Sequence, residues 1–178
     1  NDRSIINRMG FNNHGVDALV QKLKKFKNKK QIIIGGNIGK NKLTDQADAI
    51  SDYVYCFNAL FNHVHYFVIN VSSPNTPNLR ALQDKGPLLD LLTAIQKENH
   101  NYALPKPVFL KIAPDLNDDQ LMDVIDVLNS TKLSGIIINN TTISRPDFLK
   151  EETLKHESGG LSGQAIEQLS KAILQKLI

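Results

Sequence analysis

The sequence predicts an α/β fold built around a parallel sheet. Four short apolar runs alternate with longer segments whose apolar residues recur at helical spacing, which is typical of repeated strand-helix units. The run Tyr66-Phe67-Val68-Ile69 is apolar without alternation, as in a strand that is covered on both faces. A length of 178 residues and a hydrophobic content of 41% suit one domain with a sizeable core.

The first part of the chain predicts a polar loop, a helix and a strand, and then a second helix. Residues 7–15 include two glycines and lead into a helix whose apolar face is Val16, Leu19, Val20, Leu23 and Phe26. Residues 32–34, all isoleucine, form the first predicted strand. It ends where the glycines of 35–40 let the backbone come close to another group. The second helix should start near Thr44, which suits an N-cap. Its inward-facing residues should be Ala47, Ile50, Val54 and Phe57.

The remaining strands and helices follow in the same alternating order. The second predicted strand ends at Asn70, and the helix after it carries Leu88, Leu89, Leu92 and Ile95. The third strand covers 108–113, and its helix begins at about Asn117. The fourth strand covers 135–138. The final helix presents Ile166, Leu169, Ile173 and Leu177.

A polar side chain stands at or just after the end of each predicted strand. These side chains are Asn37, Asn70, Lys111 and Asn139. Because right-handed crossovers make all four strands point the same way, we expect the four residues to converge at one edge of the sheet. Both (β/α)8 barrels and doubly wound sheets bind their ligands at that edge.

The chemistry of these four residues suits a flat polar ring as ligand. Amides both donate and accept hydrogen bonds, and a lysine adds positive charge. A buried Lys111 beside a flavin would stabilise the negative charge that develops when the flavin is reduced. The alternative is a salt bridge from Lys111 to a carboxylate, although no Asp or Glu ends a neighbouring predicted strand.

The loop after the second strand, residues 72–76, is the candidate for catalysis. Pro74 biases Ser73 away from the helical conformation and takes the chain out of the sheet. A serine hydroxyl is a weak base or nucleophile unless a neighbour or a relay removes its proton. The alternative interpretation is an Asx or Ser turn that only ends the strand.

Three further features have a functional and a structural interpretation. His63 and His65 could face one side of a strand as metal ligands, but without a carboxylate or cysteine beside them we expect no metal site. The glycine-rich residues 159–163 could offer backbone N–H groups to a phosphate or could form an ordinary turn. Cys56 is the single cysteine, which excludes an internal disulfide and predicts a core thiol.

The charge distribution does not favour a nucleic-acid partner. The formal net charge is +3, and basic residues cluster at Lys22, Lys24, Lys25, Lys27, Lys29 and Lys30. Cations at the end of a helix complement the helix dipole, so a solvated helix terminus is favoured over a patch for polyanions or membranes. No stretch of the sequence is long and apolar enough to cross a bilayer.

Six segments, in this order, resemble class 2 dihydroorotate dehydrogenases, the quinone-linked flavoenzymes of pyrimidine synthesis. They are residues 7–12, 37–42, 70–76, 110–115, 139–142 and 159–163. The resemblance implies an α/β fold of the (β/α)8 TIM barrel type, of which this chain covers roughly the middle four βα units. Residues 1–178 would then be part of a single FMN-binding domain whose first and last strands lie outside the chain.

The resemblance also implies roles for individual residues. Ser73 would be the base that takes the C5 proton of dihydroorotate while a hydride passes from C6 to FMN. Apart from the resemblance, Thr76 lies three residues after Ser73 and is a candidate to orient a water that relays the proton. The substrate-binding residues would be Asn7, Arg8, Met9, Gly10, Phe11, Asn70, Asn75, Asn140 and Thr141. The FMN-binding residues would be Asn37, Asn70, Lys111, Asn139, Ser162 and Gly163. Asn139 stands where some members of the family have threonine.

Ser73 points to class 2, because class 1 relatives typically have cysteine at this position. Class 2 implies a quinone acceptor and a peripheral membrane protein, on the cytoplasmic side of a bacterial inner membrane or on the mitochondrial inner membrane, attached by a segment outside this chain. The isolated segment should be inactive, since an open half-barrel exposes two sheet edges. The remaining alternatives are a class 1 enzyme with a soluble acceptor and a non-catalytic barrel that binds nucleotide or RNA.

Overall fold

The computed structural model describes residues 2–26 and 31–178, which contain two sheets and five α-helices. The strands are β1 (Ser4–Asn7), β2 (Gly35–Ile38), β3 (Tyr66–Asn70), β4 (Val108–Lys111), β5 (Gly135–Ile137) and β6 (Gly160–Gly163). The helices are α1 (Val16–Lys25), α2 (Ala49–Leu60), α3 (Lys85–His100), α4 (Asp118–Thr131) and α5 (Glu167–Lys176). In the described ranges, none of the helices has the length and apolar character needed to span a membrane.

The larger sheet confirms the predicted fold class. Its four strands are parallel in the order β2-β3-β4-β5, and a helix follows each of β2, β3 and β4 before the next strand. The strands are therefore joined by the crossover connections that parallel pairing requires. This arrangement is part of a (β/α)8 barrel, with adjacent strands in sequence also adjacent in space.

The helices cover one face of this sheet and bury the main core against it. The sheet contributes Ile38, Phe67, Ile69, Val108 and Leu110, and all of them are buried. Phe57 of α2 lies against Phe67 with ring centroids 4.2 Å apart and against Phe61 at 5.6 Å. Since a fully buried aromatic side chain contributes on the order of 2–3 kcal/mol by burial alone, this cluster fixes α2 on the sheet.

The opposite face of the sheet, which is the inner face of the barrel, carries an aromatic pair near its amino-terminal end. Tyr66 and Phe109 lie edge to face with ring centroids 5.7 Å apart. Gly35 pairs with Tyr66, and a Cβ on Gly35 would lie 2.4 Å from the Tyr66 ring. Gly135 pairs with Phe109, and a Cβ there would lie 3.2 Å from that ring. The two outer strands thus have glycine where the two inner strands have large rings.

The first predicted strand is wrong in position. The strand is β2, four residues that begin at Gly35, whereas the isoleucines at 32–34 precede it. Ile33 is 79% exposed and Ile32 is 50% exposed. The register with β3 places Gly35 opposite Tyr66, where only a glycine leaves room for the ring. Packing against a neighbouring strand therefore outweighed the higher strand propensity of isoleucine.

Some helix boundaries and faces also differ from the prediction. The second helix begins at Ala49 after a 3₁₀ turn, and Thr44 does not cap it. Its buried residues are Ala49, Tyr53, Phe57 and Leu60, whereas Ala47 is exposed. In α3, Leu88 and Leu92 are buried as predicted, and Leu89 is 39% exposed. The start of α4 is confirmed, because Asn117 forms a capping box with Gln120.

Two segments for which no strand is predicted pair with each other. The antiparallel pair joins β1 to β6, with Asn7 opposite Gly160 and Ile5 opposite Ser162. The residues of β1 and β6 are more than 150 positions apart in the chain, and each strand is only four residues long. The pair is not part of the barrel sheet.

Candidate functional site

The site is built at the carboxyl ends of the parallel strands. Asn70 ends β3, Lys111 ends β4, and the two residues are directly paired across the strands. Because paired residues point to the same face, both side chains lie on the inner face, away from the buried Ile69 and Leu110. The predicted convergence of these two strand ends is therefore present.

A single hydroxyl sets the orientation of two of the predicted asparagines. Ser72 is fully buried, and its Oγ donates to Asn70 Oδ1 at 2.8 Å while it accepts from Asn140 Nδ2 at 2.9 Å. Asn70 Oδ1 also accepts from the Ser72 N–H. Since Asn70 Oδ1 is occupied in this way, its Nδ2 is the atom left to donate to a ligand.

Ser73 lies on a short turn that holds its hydroxyl oxygen in place. The side chain is buried, and Oγ accepts from the backbone N–H of Asn75 at 3.3 Å. Asn75 in turn donates from Nδ2 to the backbone carbonyl of Asn7 at 3.1 Å and to Asn7 Oδ1 at 3.3 Å. Asn7, Ser73 and Asn75, three predicted site residues, thus belong to one hydrogen-bonded group.

Lys111 and Asn139 each have a donor without an acceptor among the described residues. The Lys111 ammonium makes no hydrogen bond or ion pair there, and burial lowers the pKa of Lys111 below its ordinary value. Asn139 follows β5, and its Oδ1 accepts from Ser170 of α5 at 3.2 Å. Its Nδ2 is buried with no hydrogen-bond partner. Buried donors are rarely left unpaired in native proteins, so this edge of the sheet suits a ligand with several acceptor atoms.

Asn37 lies on the inner face, one layer closer to the amino ends of the strands. It pairs with Val68, two residues before Asn70, and it is exposed. Beyond it, Gly39 is packed against the ring of Phe11, and a Cβ on Gly39 would lie 2.6 Å from that ring. The close approach that the glycines of 35–40 predict is therefore an approach to aromatic side chains.

The antiparallel pair of β1 and β6 brings Asn7 to the loops after β3 and β5. A Cβ on Gly160 would lie 2.0 Å from Thr141 Oγ1 and 3.2 Å from Pro74 Cγ. Ser162 donates from Oγ to the backbone carbonyl of Ile5 at 3.3 Å. Gly163 has a φ of 92°, and a Cβ there would lie 2.5 Å from the Arg3 carbonyl oxygen.

The phosphate interpretation of residues 159–163 is not supported by this arrangement. The segment is a strand, and the N–H of Leu161 donates to the Thr142 carbonyl at 2.8 Å. Just beyond it, the Gln164 N–H donates to the Arg3 carbonyl and the Ala165 N–H donates to Ser4 Oγ. These donors are used inside the protein.

Replacing Gly160 with alanine is expected to destabilise the full-length protein by about 1–3 kcal/mol, because the new methyl group overlaps Thr141. Thermal unfolding of the purified protein measures the effect. Gly86→Ala is the matched control, since nothing lies within 4 Å of a Cβ at this helical position. That variant should be neutral or slightly stabilising. Equal unfolding temperatures for the two variants would contradict the close packing of Gly160.

The other residues of the first predicted segment line the opening of the site. Met9 is 67% exposed, and Gly10, with a φ of 63°, lies beside Asn75. Arg8 forms an ion pair with Glu157 at 2.7 Å and donates to the Ser158 carbonyl, so its charge is directed toward that segment. Thr76 is buried next to this opening.

His65 contributes to the fold through its contacts with Ile34. His65 Nδ1 accepts from the Ile34 N–H at 2.9 Å, and the His65 N–H donates to the Ile34 carbonyl at 2.7 Å. His63 ends a 3₁₀ turn and His65 precedes β3, so neither residue lies in a strand and the possibility of two imidazoles on one strand face is not met. Across residues 2–26 and 31–178, no group of three metal-binding side chains could hold an ion.

Two other predictions concern Cys56 and the lysine run. Cys56 is half-buried and packs against the core, and burial raises the pKa of its thiol to about 11. Lys22, Lys24 and Lys25 lie in the last turn of α1, as predicted for a solvated terminus. Lys27, Lys29 and Lys30 lie outside the described residues.

Sequence reasoning missed the ion pair that connects the loops around the site. Arg80 pairs with Asp115 at 2.7 Å and donates to the backbone carbonyls of Ser72 and Thr141. Thr142 Oγ1 donates to the other carboxylate oxygen of Asp115. Arg80 and Asp115 are 35 positions apart in the chain, and no local pattern relates them.

A family model described as dihydroorotate dehydrogenase matches residues 1–178. A dihydroorotate dehydrogenase (quinone) from Christiangramia forsetii is 57% identical over 176 residues, which cover 99% of this chain and 50% of that protein. One from Legionella pneumophila strain Corby is 44% identical, covering 98% of this chain and 53% of the relative. The chain therefore spans about half the length of these curated relatives.

Solved structures agree with the sequence comparison. The crystal structure of a dihydroorotate dehydrogenase from Eimeria tenella in complex with ferulenol has a TM-score of 0.90 and 36% identity. The match covers 99% of this chain and 52% of that one. A ligand-free structure from the same organism has a TM-score of 0.88, with 38% identity and coverage of 97% and 53%.

Proposed function

The chain belongs to the dihydroorotate dehydrogenase family, and on that premise we propose that the whole protein oxidises (S)-dihydroorotate to orotate in pyrimidine synthesis, with a quinone as electron acceptor. The observation that carries the proposal is the buried Ser73 hydroxyl, held on the loop after β3 three residues beyond Asn70, which pairs with Lys111. The quinone is supported by the names of relatives such as the one from Christiangramia forsetii.

Ser73 is the proposed base. As the Ser73 hydroxyl passes its own proton to a relay water, Oγ takes the C5 proton of dihydroorotate. The C5–H electron pair becomes the second bond between C5 and C6, and a hydride leaves C6. The Asn75 N–H that points at Oγ stabilises negative charge on this oxygen and fixes its position. Burial of Ser73 keeps bulk water from competing for the proton. Thr76 is the proposed group that orients a relay water.

The proposed substrate site is the hydrogen-bonded group around Ser73. Asn7, Asn70 and Asn75 each have amide atoms left to bind the carboxylate and ring amides of the substrate. Asn140 and Thr141 follow β5, and the Asn140–Ser72 bond holds them against Asn70. The loop residues Arg8, Met9, Gly10 and Phe11 complete the proposed lining on the side of β1.

The proposed cofactor is FMN, which supplies the hydride acceptor when it is bound. The unpaired Lys111 ammonium and the buried Asn139 Nδ2 are donors that fit the oxygen and nitrogen atoms of a flavin ring. Asn37 and Asn70 lie on the same face of the sheet as Lys111. Ser162 and Gly163 would contribute from β6. Residues 1–178 are in this proposal part of one FMN-binding barrel domain.

The proposal includes peripheral membrane attachment through a segment outside this chain, since the acceptor is a membrane quinone. The proposed location is the cytoplasmic side of a bacterial inner membrane or a mitochondrial inner membrane. Co-sedimentation of the full-length protein with membranes tests it, and recovery only in the soluble fraction would contradict it.

The function is tested with the full-length protein. We expect a bound flavin, visible as absorbance near the usual flavin maxima, and reduction of a soluble quinone analogue that requires dihydroorotate. Fumarate and NAD⁺ as acceptors distinguish a class 1 enzyme, and they should be reduced far more slowly. A protein that contains flavin but does not respond to dihydroorotate would overturn the proposal. Salt-dependent RNA binding without flavin would favour the non-catalytic barrel.

A further inference from the structure

Arg80 connects the loops that follow two different strands of the barrel. It lies in the 3₁₀ helix Leu79–Gln83. Its Nε donates to the Ser72 carbonyl at 3.1 Å, and its Nη2 donates to the Thr141 carbonyl at 2.9 Å. Ser72 directly precedes the proposed base, and Thr141 directly follows Asn140. One guanidinium therefore holds both loops of the proposed substrate site.

Asp115 completes the connection from the loop after β4. It pairs with Arg80 Nη1 at 2.7 Å, and both side chains are about one-fifth exposed, at 21% and 20%. Its second oxygen accepts from Thr142 Oγ1, and Thr142 is buried. The Ile143 N–H donates to the same oxygen that Arg80 contacts, at 3.4 Å. The loops after β3, β4 and β5 are thus joined through one ion pair.

The chemistry of arginine suits this position better than that of lysine. A guanidinium presents five N–H donors in a planar fork and stays charged at all working pH values. Three of its nitrogens are used here, each on a different residue. A lysine ammonium could keep the contact with Asp115, but it could not reach both carbonyls in the same plane.

We propose that Arg80 is a positioning residue for proton removal: with Asp115 as its partner, it holds the Ser73 loop and the Asn140-Thr141 loop closed around the substrate. The inference rests on the proposed function. A shift of the Ser72 carbonyl would move Ser73 Oγ away from the C5 proton. A misplacement of about 1 Å can cost about 10²-fold in rate, even when the chemical groups are unchanged.

The test compares Arg80→Gln, Arg80→Lys and the control Lys85→Gln in flavin-loaded full-length protein. Lys85 also pairs with two aspartates, Asp123 and Asp126, but on the surface between α3 and α4. We expect Arg80→Gln to bleach its flavin with dihydroorotate about 10²-fold more slowly than wild type. Arg80→Lys should recover part of this loss, and Lys85→Gln should match wild type. Flavin content and unfolding temperature identify any variant that fails to fold.

Substrate deuterated at C5 or at C6 separates positioning from general damage. If Arg80 positions the base, the isotope effect at C5 rises in Arg80→Gln more than the effect at C6. Hydrogen exchange should also become faster in residues 72–84 and 139–143. If the wild-type protein is active and Arg80→Gln has the same rates and isotope effects as wild type, this inference is overturned and the proposed function is unaffected. A wild-type protein that does not oxidise dihydroorotate would overturn both.

Discussion

Replacing Ser73 with alanine should lower the rate of dihydroorotate oxidation by about 10²–10⁴-fold, the usual contribution of a positioned general base. The change removes only Oγ, which has one recorded partner, the Asn75 N–H. The surrounding loop is held by other contacts, including the bonds from Asn75 to Asn7. Flavin content and stability should therefore stay close to wild type. Stopped-flow absorbance of the flavin after mixing with dihydroorotate, without quinone, measures the step directly.

Two further variants sharpen the result for Ser73. Ser130→Ala is the matched control, since its hydroxyl donates to the Val127 carbonyl on α4, away from the strand ends. It should keep the wild-type rate. Ser73→Cys should be poorly tolerated in a class 2 enzyme, whereas a class 1 type site would accept the thiol. An alanine variant that retains more than half of the wild-type rate would exclude Ser73 as the base.

Replacing Lys111 with methionine should slow flavin reduction by about 10²–10³-fold and lower the flavin content of the purified protein. Methionine keeps the length and much of the apolar volume of the side chain but removes the unpaired ammonium. The loss has a physical cause, since the cation has no carboxylate partner among the described residues and is free to stabilise charge on a ligand. Flavin absorbance per protein and the rate of bleaching measure both effects.

The matched control for Lys111 lies near the other end of the same strand. Lys106 precedes β4 and donates to the backbone carbonyls of Phe61 and Val64. Burial lowers the pKa of Lys106 as it does that of Lys111. Lys106→Met should reduce stability but leave the flavin chemistry unchanged. If the two methionine variants lose flavin equally, Lys111 has no special role toward the cofactor.

The lowered pKa of Lys111 also predicts a dependence of stability on pH. In the absence of flavin, the folded protein gives up the Lys111 proton at lower pH than the unfolded chain does. The unfolded state then binds more protons, so the free energy of unfolding rises as pH increases from the lowered pKa to the ordinary one. Lys111→Met should show a smaller rise in denaturant titrations across this range. If the free energy of unfolding of Lys111→Met rises with pH as much as that of wild type, burial of the Lys111 ammonium is contradicted.

The fold class could be predicted because it depends on repeated local patterns. The apolar run 66–69 forms β3, and the helix predicted to begin at about Asn117 is α4. β2 could not be placed this way. Its sequence Gly-Gly-Asn-Ile has a weak strand signal, and its position is decided by Tyr66 on the neighbouring strand.

The site was predictable where it follows from the strand ends and not where it depends on distant contacts. The pairing of Asn70 with Lys111 follows from parallel strands, and it is observed. The pairing of β1 with β6 joins two four-residue segments across most of the chain. The contacts of Arg80 with Asp115 and Thr141 span 35 and 61 positions. Such contacts depend on the complete fold, so they cannot be predicted from the spacing of residues within a short segment of the sequence.

On the inner face of the sheet, two glycines and two aromatic rings pack so closely that the size of one residue limits the size of its partner. The rings of Tyr66 and Phe109 occupy the space that side chains on Gly35 and Gly135 would need. A larger residue at either glycine is compatible with this sheet only if the facing ring becomes smaller, so substitutions at the four positions should be tolerated in compensating combinations rather than singly.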